Sequence, residues 1–230
     1  MNTKNVLKLL ILPAFLAGTF FTASAQNNAD EMPRPEKVEP AKNNKPPADA
    51  IVLFNRGSLD NFKSANDGGP APWKVKGGKF VVEPKTGNIL TKEEFGDIQL
   101  HIEFKTPRDA KNFDGQKSGN SGIYIMGKYE VQVLNSYEKE TNPDTQAGAV
   151  YRQYPPMVNA SVKPGKWQTY DIIFEAPEYD DNGNQVEPPY ITVFHNGVLI
   201  QNHVEVQGPT TAYNKDLPEN VEKGPLMLQD

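Results

Sequence analysis

The chain has 230 residues, with 24 Lys and Arg against 29 Asp and Glu, a net charge of −5 and no cysteine. That balance argues against nucleic acid as a partner, because nucleic acid needs a basic surface. With no thiols there can be no disulfides, so stability has to come from a buried core.

Residues 1–25 place Lys4 and Lys8 ahead of an apolar run from Leu9 to Phe21 and close on Ala23-Ser24-Ala25. A core this short with an A-x-A-like end predicts a cleaved secretory peptide rather than a membrane span. Cleavage removes two lysines and no acid, taking the net charge from −5 to −7. The product is therefore expected outside the cytoplasm, periplasmic or extracellular. It has no cysteine to carry a lipid, and no later stretch is apolar enough to span a bilayer. Residues 26–50 hold five prolines and many charges but almost no large apolar groups. Such a segment cannot bury enough surface to offset its ordering entropy, so it is expected to be a disordered or extended linker. About 205 residues remain after cleavage, enough for one well-buried domain.

From Ile51 onward the pattern is one of strands and turns. Gly78–Pro84, Asp97–Lys105, Ser121–Gly127, Tyr129–Asn135, Trp167–Pro177 and Tyr190–Gln201 alternate apolar with polar residues or are β-branched and aromatic runs. Asn196-Gly197 is a two-residue hairpin signal inside the last of these, and Asp181-Asn182-Gly183-Asn184 marks another turn. Many short strands with frequent Gly and Pro breaks predict an all-β antiparallel sandwich or jelly roll.

Polar residues inside two of these strands are the candidate site. In Tyr129–Asn135, Glu130 and Gln132 share one face, roughly 7 Å apart, while Val131 and Val133 point the other way. In Asp97–Lys105, Leu100, Ile102 and Phe104 make one face, and His101, Glu103 and Lys105 make the other. A solvated sheet face would explain either row; a polar ligand would too. Tyr124 lies opposite Ile123 and Ile125 in parity, which turns it toward the same side as a cleft. Trp73, Tyr151 and Tyr154 could stack on a ligand ring or pack in the core, and Trp167 is expected to pack. Gly119 and Gly122 read as a tight turn, with Asn120 a ligand contact or a partner to its own turn. Ser121 is a poor nucleophile, because Ile123 stands where a G-x-S-x-G elbow needs glycine. His101, His195 and His203 have no zinc spacing, and Gln185 breaks the calcium-loop pattern in Asp180–Gln185. A divalent ion held by carboxylates from separate strands stays open.

Several separated stretches, Leu53–Phe62, Asp97–Lys105, Gly119–Met126, Tyr129–Ser136, Ala147–Tyr151, Val162–Phe174, Val193–Ile200 and Gly224–Asp230, together resemble the 3-keto-disaccharide hydrolase domain family. The resemblance spans residues 52–230 in the family's order. It implies a jelly roll of concanavalin-like lectin and glucanase type, with sugar on the concave face, and a carbohydrate substrate. The family continues past Asp230 with one more strand, so the sandwich is expected to lack its last strand. Relatives carry an aspartate where Asn135 stands and an arginine near Met126.

Sandwich glucanases of similar fold use two carboxylates about 5 Å apart, whereas the neighbour of Glu130 on its own face is Gln132. A second carboxylate would have to come from Glu103 or Asp230, or the chemistry must differ. A ketone at C3 acidifies the C2 proton, so a single base allows elimination of the glycosidic oxygen followed by hydration. On that reading Glu130 is the base, Glu103 or Asp230 assists the leaving group or holds a cation, and Gln132, Asn120, Lys105, His101, Tyr124 and Tyr151 contact substrate. The alternative is a lectin-like module with no catalysis; a purely structural surface protein is a third reading.

Overall fold

The computed structural model describes residues 34–43, 45–210, 215 and 217–230. Its contacts divide into two units, residues 1–50 and 51–230. In the first unit, residues 34–43 and 45–50 are exposed, with a bridge between Lys42 and Lys45. The secretory-peptide reading of residues 1–25 and the start of the linker, 26–33, lie outside the described residues. No described helix is long and apolar enough to cross a membrane.

The second unit is built from strands β1 (Phe62–Ser64), β2 (Lys74–Val75), β3 (Phe80–Val81), β4 (Ile89–Phe95), β5 (Ile98–Phe104), β6 (Ser121–Ile125) and β7 (Tyr129–Val133). These are followed by β8 (Gln168–Glu175), β9 (Glu178–Tyr179), β10 (Gln185–Glu187), β11 (Tyr190–His195), β12 (Val198–Glu205) and β13 (Gly224–Leu228). A five-stranded sheet runs β1-β4-β13-β6-β7 and a four-stranded sheet runs β12-β11-β8-β5. Every pairing within them is antiparallel. The chain passes between sheets from β4 to β5, back at β6, across again at β8 and back at β13. This is the jelly-roll sandwich that the alternating pattern predicted.

Period-two patterning decides which side chains meet in the core. In β8, Gln168, Tyr170, Ile172 and Phe174 are buried, while Thr169, Asp171, Ile173 and Glu175 face outward. Across the sandwich Tyr170, Ile172 and Phe174 share one apolar cluster with Ile89, Ile123, Ile125, Val131 and Leu228 of the five-stranded sheet. Each such side chain contributes about 1.5–3 kcal/mol on burial. The far face of the five-stranded sheet carries a second, smaller cluster of Leu90, Tyr124 and Met227. That sheet is therefore covered on both faces near its centre, and all five residues of β7 are buried although they alternate in polarity.

Two turns set the hairpins. Asn196 and Gly197 both have positive φ, 52° and 78°, as a two-residue primed turn requires. Met126 and Gly127 do the same between β6 and β7, at 54° and 66°. The sequence ran these two residues into the strand, because methionine gives no turn signal. The outer edge of β7 is not left open: Gln132 N–H donates to Ala149 O, Tyr151 N–H to Glu130 O, and Glu130 N–H to Thr210 Oγ1 at 3.2 Å. These bonds blunt a strand edge that would otherwise invite pairing.

Candidate active site

Strand β7 aims Val131 and Val133 into the inter-sheet core, so Glu130 must take the opposite face. There it lines a cleft of about 310 Å³ with Gln116, Asn120, Tyr124, Tyr151, Arg152 and Gln229. Glu130 is only 2% exposed. Its Oε2 accepts the Tyr124 hydroxyl at 2.7 Å, and Gln229 Nε2 donates to the same phenol oxygen at 3.1 Å. Tyr124 and Glu130 are direct cross-strand partners, and β13 brings Gln229 alongside β6, where its N–H bonds to Gly122 O. Three strands thus build one relay on one face.

Gly122 makes the relay fit. A Cβ there would stand 2.5 Å from Glu130 Oε1 and 2.7 Å from Tyr124 Cε2. The sequence read Gly122 as part of a turn; it lies inside β6, and its lack of a side chain leaves room for the carboxylate. Gly119, with φ of 72°, is the turn residue.

Burial dominates the electrostatics. It pushes the Glu130 carboxyl up to about 7, against the opposing pull of the Tyr124 hydrogen bond. Burial, then the Glu130 charge, raises the Tyr124 phenol far above its usual value, so the proton between them rests on tyrosine. The Arg152 guanidinium lies 5.7 Å from the centre of the Tyr151 ring and has no carboxylate within 4 Å among the described residues. Arg152 sits in the left-handed region at φ of 59°, held by its N–H to Asp144 O at 2.8 Å. A non-glycine residue adopts that conformation at a cost that surrounding bonds must offset.

The structure brings Glu130, Asn120, Tyr124 and Tyr151 together around the cleft, places Gln132 beneath them, and sets His101, Glu103, Lys105 and Asp230 apart. Gln132 is fully buried and does not reach the cleft: its Nε2 donates to Gln116 Oε1 at 2.9 Å, Asn120 Oδ1 at 3.2 Å and Thr145 O at 3.3 Å. His101, Glu103 and Lys105 lie on the outer face of the four-stranded sheet, on the far side of the core from Glu130. Their strand pairs with β8 rather than β7, which no alternation of residues could reveal. His101 Nδ1 bonds Asp171 at 2.6 Å, and the Lys105 ammonium lies 5.1 Å from the centre of the Trp167 ring. Trp167 does not pack in the core; it is half exposed. The Asp230 carboxylate accepts Gly87 N–H at 3.0 Å and does not line the cleft, so it tethers the loop before β4. Trp73 is core, with its indole N–H on Gly87 O. Asn135 is buried and bonds Ser118 Oγ at 3.0 Å.

Among the described residues no three His, Asp or Glu side chains are placed to share a metal ion. The two carboxylates expected to help Glu130 hold a cation, Glu103 and Asp230, both stand apart from it. Sequence reasoning missed Gln116, Arg152 and Gln229. Gln229 follows the consecutive apolar residues Leu226–Leu228, Gln116 lies in a one-turn 3-10 helix at Gly115–Lys117 and Arg152 in a turn, so none of the three carries a periodic signal.

Fold and site define a concanavalin-like jelly-roll sandwich with one carboxylate set among amides, phenols and a guanidinium. The chain belongs to the 3-keto-alpha-glucoside-1,2-lyase-like domain family, whose model matches residues 49–230. It is similar to a crystal structure of a candidate glycosyl hydrolase from Parabacteroides distasonis ATCC 8503, at 38% identity and a TM-score of 0.80, over 90% of each chain. A second candidate glycosyl hydrolase from the same organism shares the fold alone, at 18% identity and a TM-score of 0.54, over 78% of this chain and 86% of that one. No curated protein matches the chain.

Proposed function

We propose that this is an exported carbohydrate-active enzyme that cleaves 3-keto-glycosides by elimination and hydration, with Glu130 as general base. The family and the similar candidate glycosyl hydrolase support action on a glycoside, and the leader-like first 25 residues support export. The observation that carries the mechanism is the lone carboxylate: Glu130 is the one acid among the described residues lining the cleft, and its pKa near 7 suits a base working near neutrality. Direct displacement at the anomeric carbon needs two carboxyl groups flanking the bond. One base is enough when a C3 ketone acidifies the C2 proton.

Glu130 takes the C2 proton and the electron pair forms an enolate, with negative charge on the C3 oxygen. Arg152 is the cation available to that oxygen, and a donor aimed at developing charge is typically worth about 3–4 kcal/mol. Collapse of the enolate breaks the C1–O bond, and the departing oxygen takes the proton from Glu130. Water then adds across the double bond, its oxygen at C1 and a proton at C2, giving net hydrolysis. Tyr124 and Gln229 hold the carboxylate in place.

The test is Glu130→Gln in the whole protein, following product release from a 3-keto-glucoside. A fall in kcat of about 10²-fold or more is expected. Turnover close to wild type removes Glu130 from the chemistry; binding with no product from either protein favours the lectin-like module.

A further inference from the structure

Gln132 was expected to touch substrate, yet it is sealed beneath the cleft, and what it holds there has a direction. The backbone carbonyl of Thr145 cannot be reversed as a side-chain amide can. It accepts from Gln116 Nε2 at 3.2 Å and from Gln132 Nε2 at 3.3 Å, so both amides must turn their nitrogens toward it. Gln132 Nε2 also faces Gln116 Oε1 at 2.9 Å and Asn120 Oδ1 at 3.2 Å. Reversing Gln132 would set its oxygen against the Thr145 carbonyl and undo every one of these bonds. The two hydrogens of Gln132 Nε2 are shared among these three acceptors, and one lone pair of the Asn120 oxygen is thereby engaged from below. Its Nδ2, which has no acceptor among the described residues, is the part of the amide left for the cleft.

We infer that Gln132 is a positioning residue that locks Asn120 as a donor, so that Asn120 together with Arg152 selects a sugar carbonyl over a hydroxyl. The inference rests on the 3-keto reading above and adds how the oxidised sugar is told from its parent. With its oxygen turned down toward Gln132, Asn120 presents Nδ2–H to the cleft, and the Arg152 guanidinium offers only N–H. A carbonyl oxygen satisfies them completely, whereas a hydroxyl brings a proton for which neither offers an acceptor. Asn120 and Arg152 are both exposed, so the preference is worth about one hydrogen bond rather than the penalty of a stranded buried group. Gln132 Oε1 is itself buried and unpartnered, so the amide bears an uncompensated acceptor while its nitrogen is spent on the lock.

The experiment is calorimetric titration of the Glu130→Gln protein, which prevents turnover, with methyl 3-keto-glucoside and with methyl glucoside. Gln132→Leu and Asn120→Asp are each tested in the same background. The parent Glu130→Gln protein is expected to prefer the ketone. Gln132→Leu, which frees the Asn120 amide to rotate, should narrow that preference by about tenfold, the scale of one hydrogen bond, with ketone binding weakened rather than glucoside binding improved. Asn120→Asp offers acceptors where donors stood and should weaken ketone binding by at least about tenfold. Asn120 is exposed, so this variant tests the idea even if Gln132→Leu does not fold. A preference that survives in Asn120→Asp, or in a folded Gln132→Leu protein, overturns the inference and leaves the 3-keto reading standing. Equal binding of both sugars by the parent protein overturns the two together.

Discussion

At the scale of single residues the site is governed by what burial does to one carboxyl group. With its pKa near 7, Glu130 is half ionised at neutral pH, so kcat/KM for a 3-keto-glucoside should climb tenfold per unit below about 7 and level off above it. A profile flat from pH 5 to 8 would contradict that assignment. The same shift has a consequence for stability. The folded value lies above the ordinary 4.5, so the folded chain holds the extra proton across that window and stability falls as pH rises from 4.5 toward 7. Glu130→Gln removes the charge while keeping the shape. Above pH 7 the inactive variant should therefore be the more stable protein by roughly 1–3 kcal/mol in urea unfolding. Arg152→Ala should lower kcat by about 10²-fold with a smaller change in KM, since the charge it meets develops only on the way to the enolate. An effect confined to KM would make Arg152 a simple binding group. Of these residues, parity gave only the shared face of Glu130 and the side taken by Tyr124, and the resemblance was needed to prefer a ligand over a solvated face; Arg152 had no signal, because a turn residue in the left-handed region carries no period.

At the scale of elements, the site depends on how closely β6 and β7 approach. Gly122 and Gln132 are cross-strand partners, and Tyr124 faces Glu130 two residues along on the same face, so the carboxylate leans over the glycine. Gly122→Ala should push Glu130 aside, costing about 1–3 kcal/mol of stability and most of the activity. Thermal unfolding and initial rates on the same preparation would check it, and an active, fully stable alanine variant would refute the close approach. Alternation predicted most of the strands, including the β11–β12 hairpin at Asn196-Gly197 and the β9–β10 turn at Asp181–Asn184. It missed β4, where buried Ile89, Leu90 and Thr91 sit side by side because both faces are covered there. It also could not rank the polar ridges of β5 and β7. The two have the same period, and only their partners differ.

At the scale of the whole molecule, one apolar layer holds the two sheets together and gives the cleft a rigid floor. Ile172 is fully buried in that layer, and truncating it leaves a cavity that close-packed neighbours fill only in part. Ile172→Ala should cost about 2–5 kcal/mol, read from urea midpoints, without changing the pH at which activity rises. The sequence by itself determined the class of fold, since an alternating pattern has a fixed relation to the faces of an extended chain. It likewise determined that Glu130 opposes Val131 and Val133. Which sheet each strand joined was decided only by tertiary structure, because pairing β5 with β8 and β6 with β13 depends on contacts between residues far apart in the chain. For that reason Glu103 and Lys105 went to the outer face, Gln229 came to Tyr124, and Gln132 went beneath the cleft instead of into it.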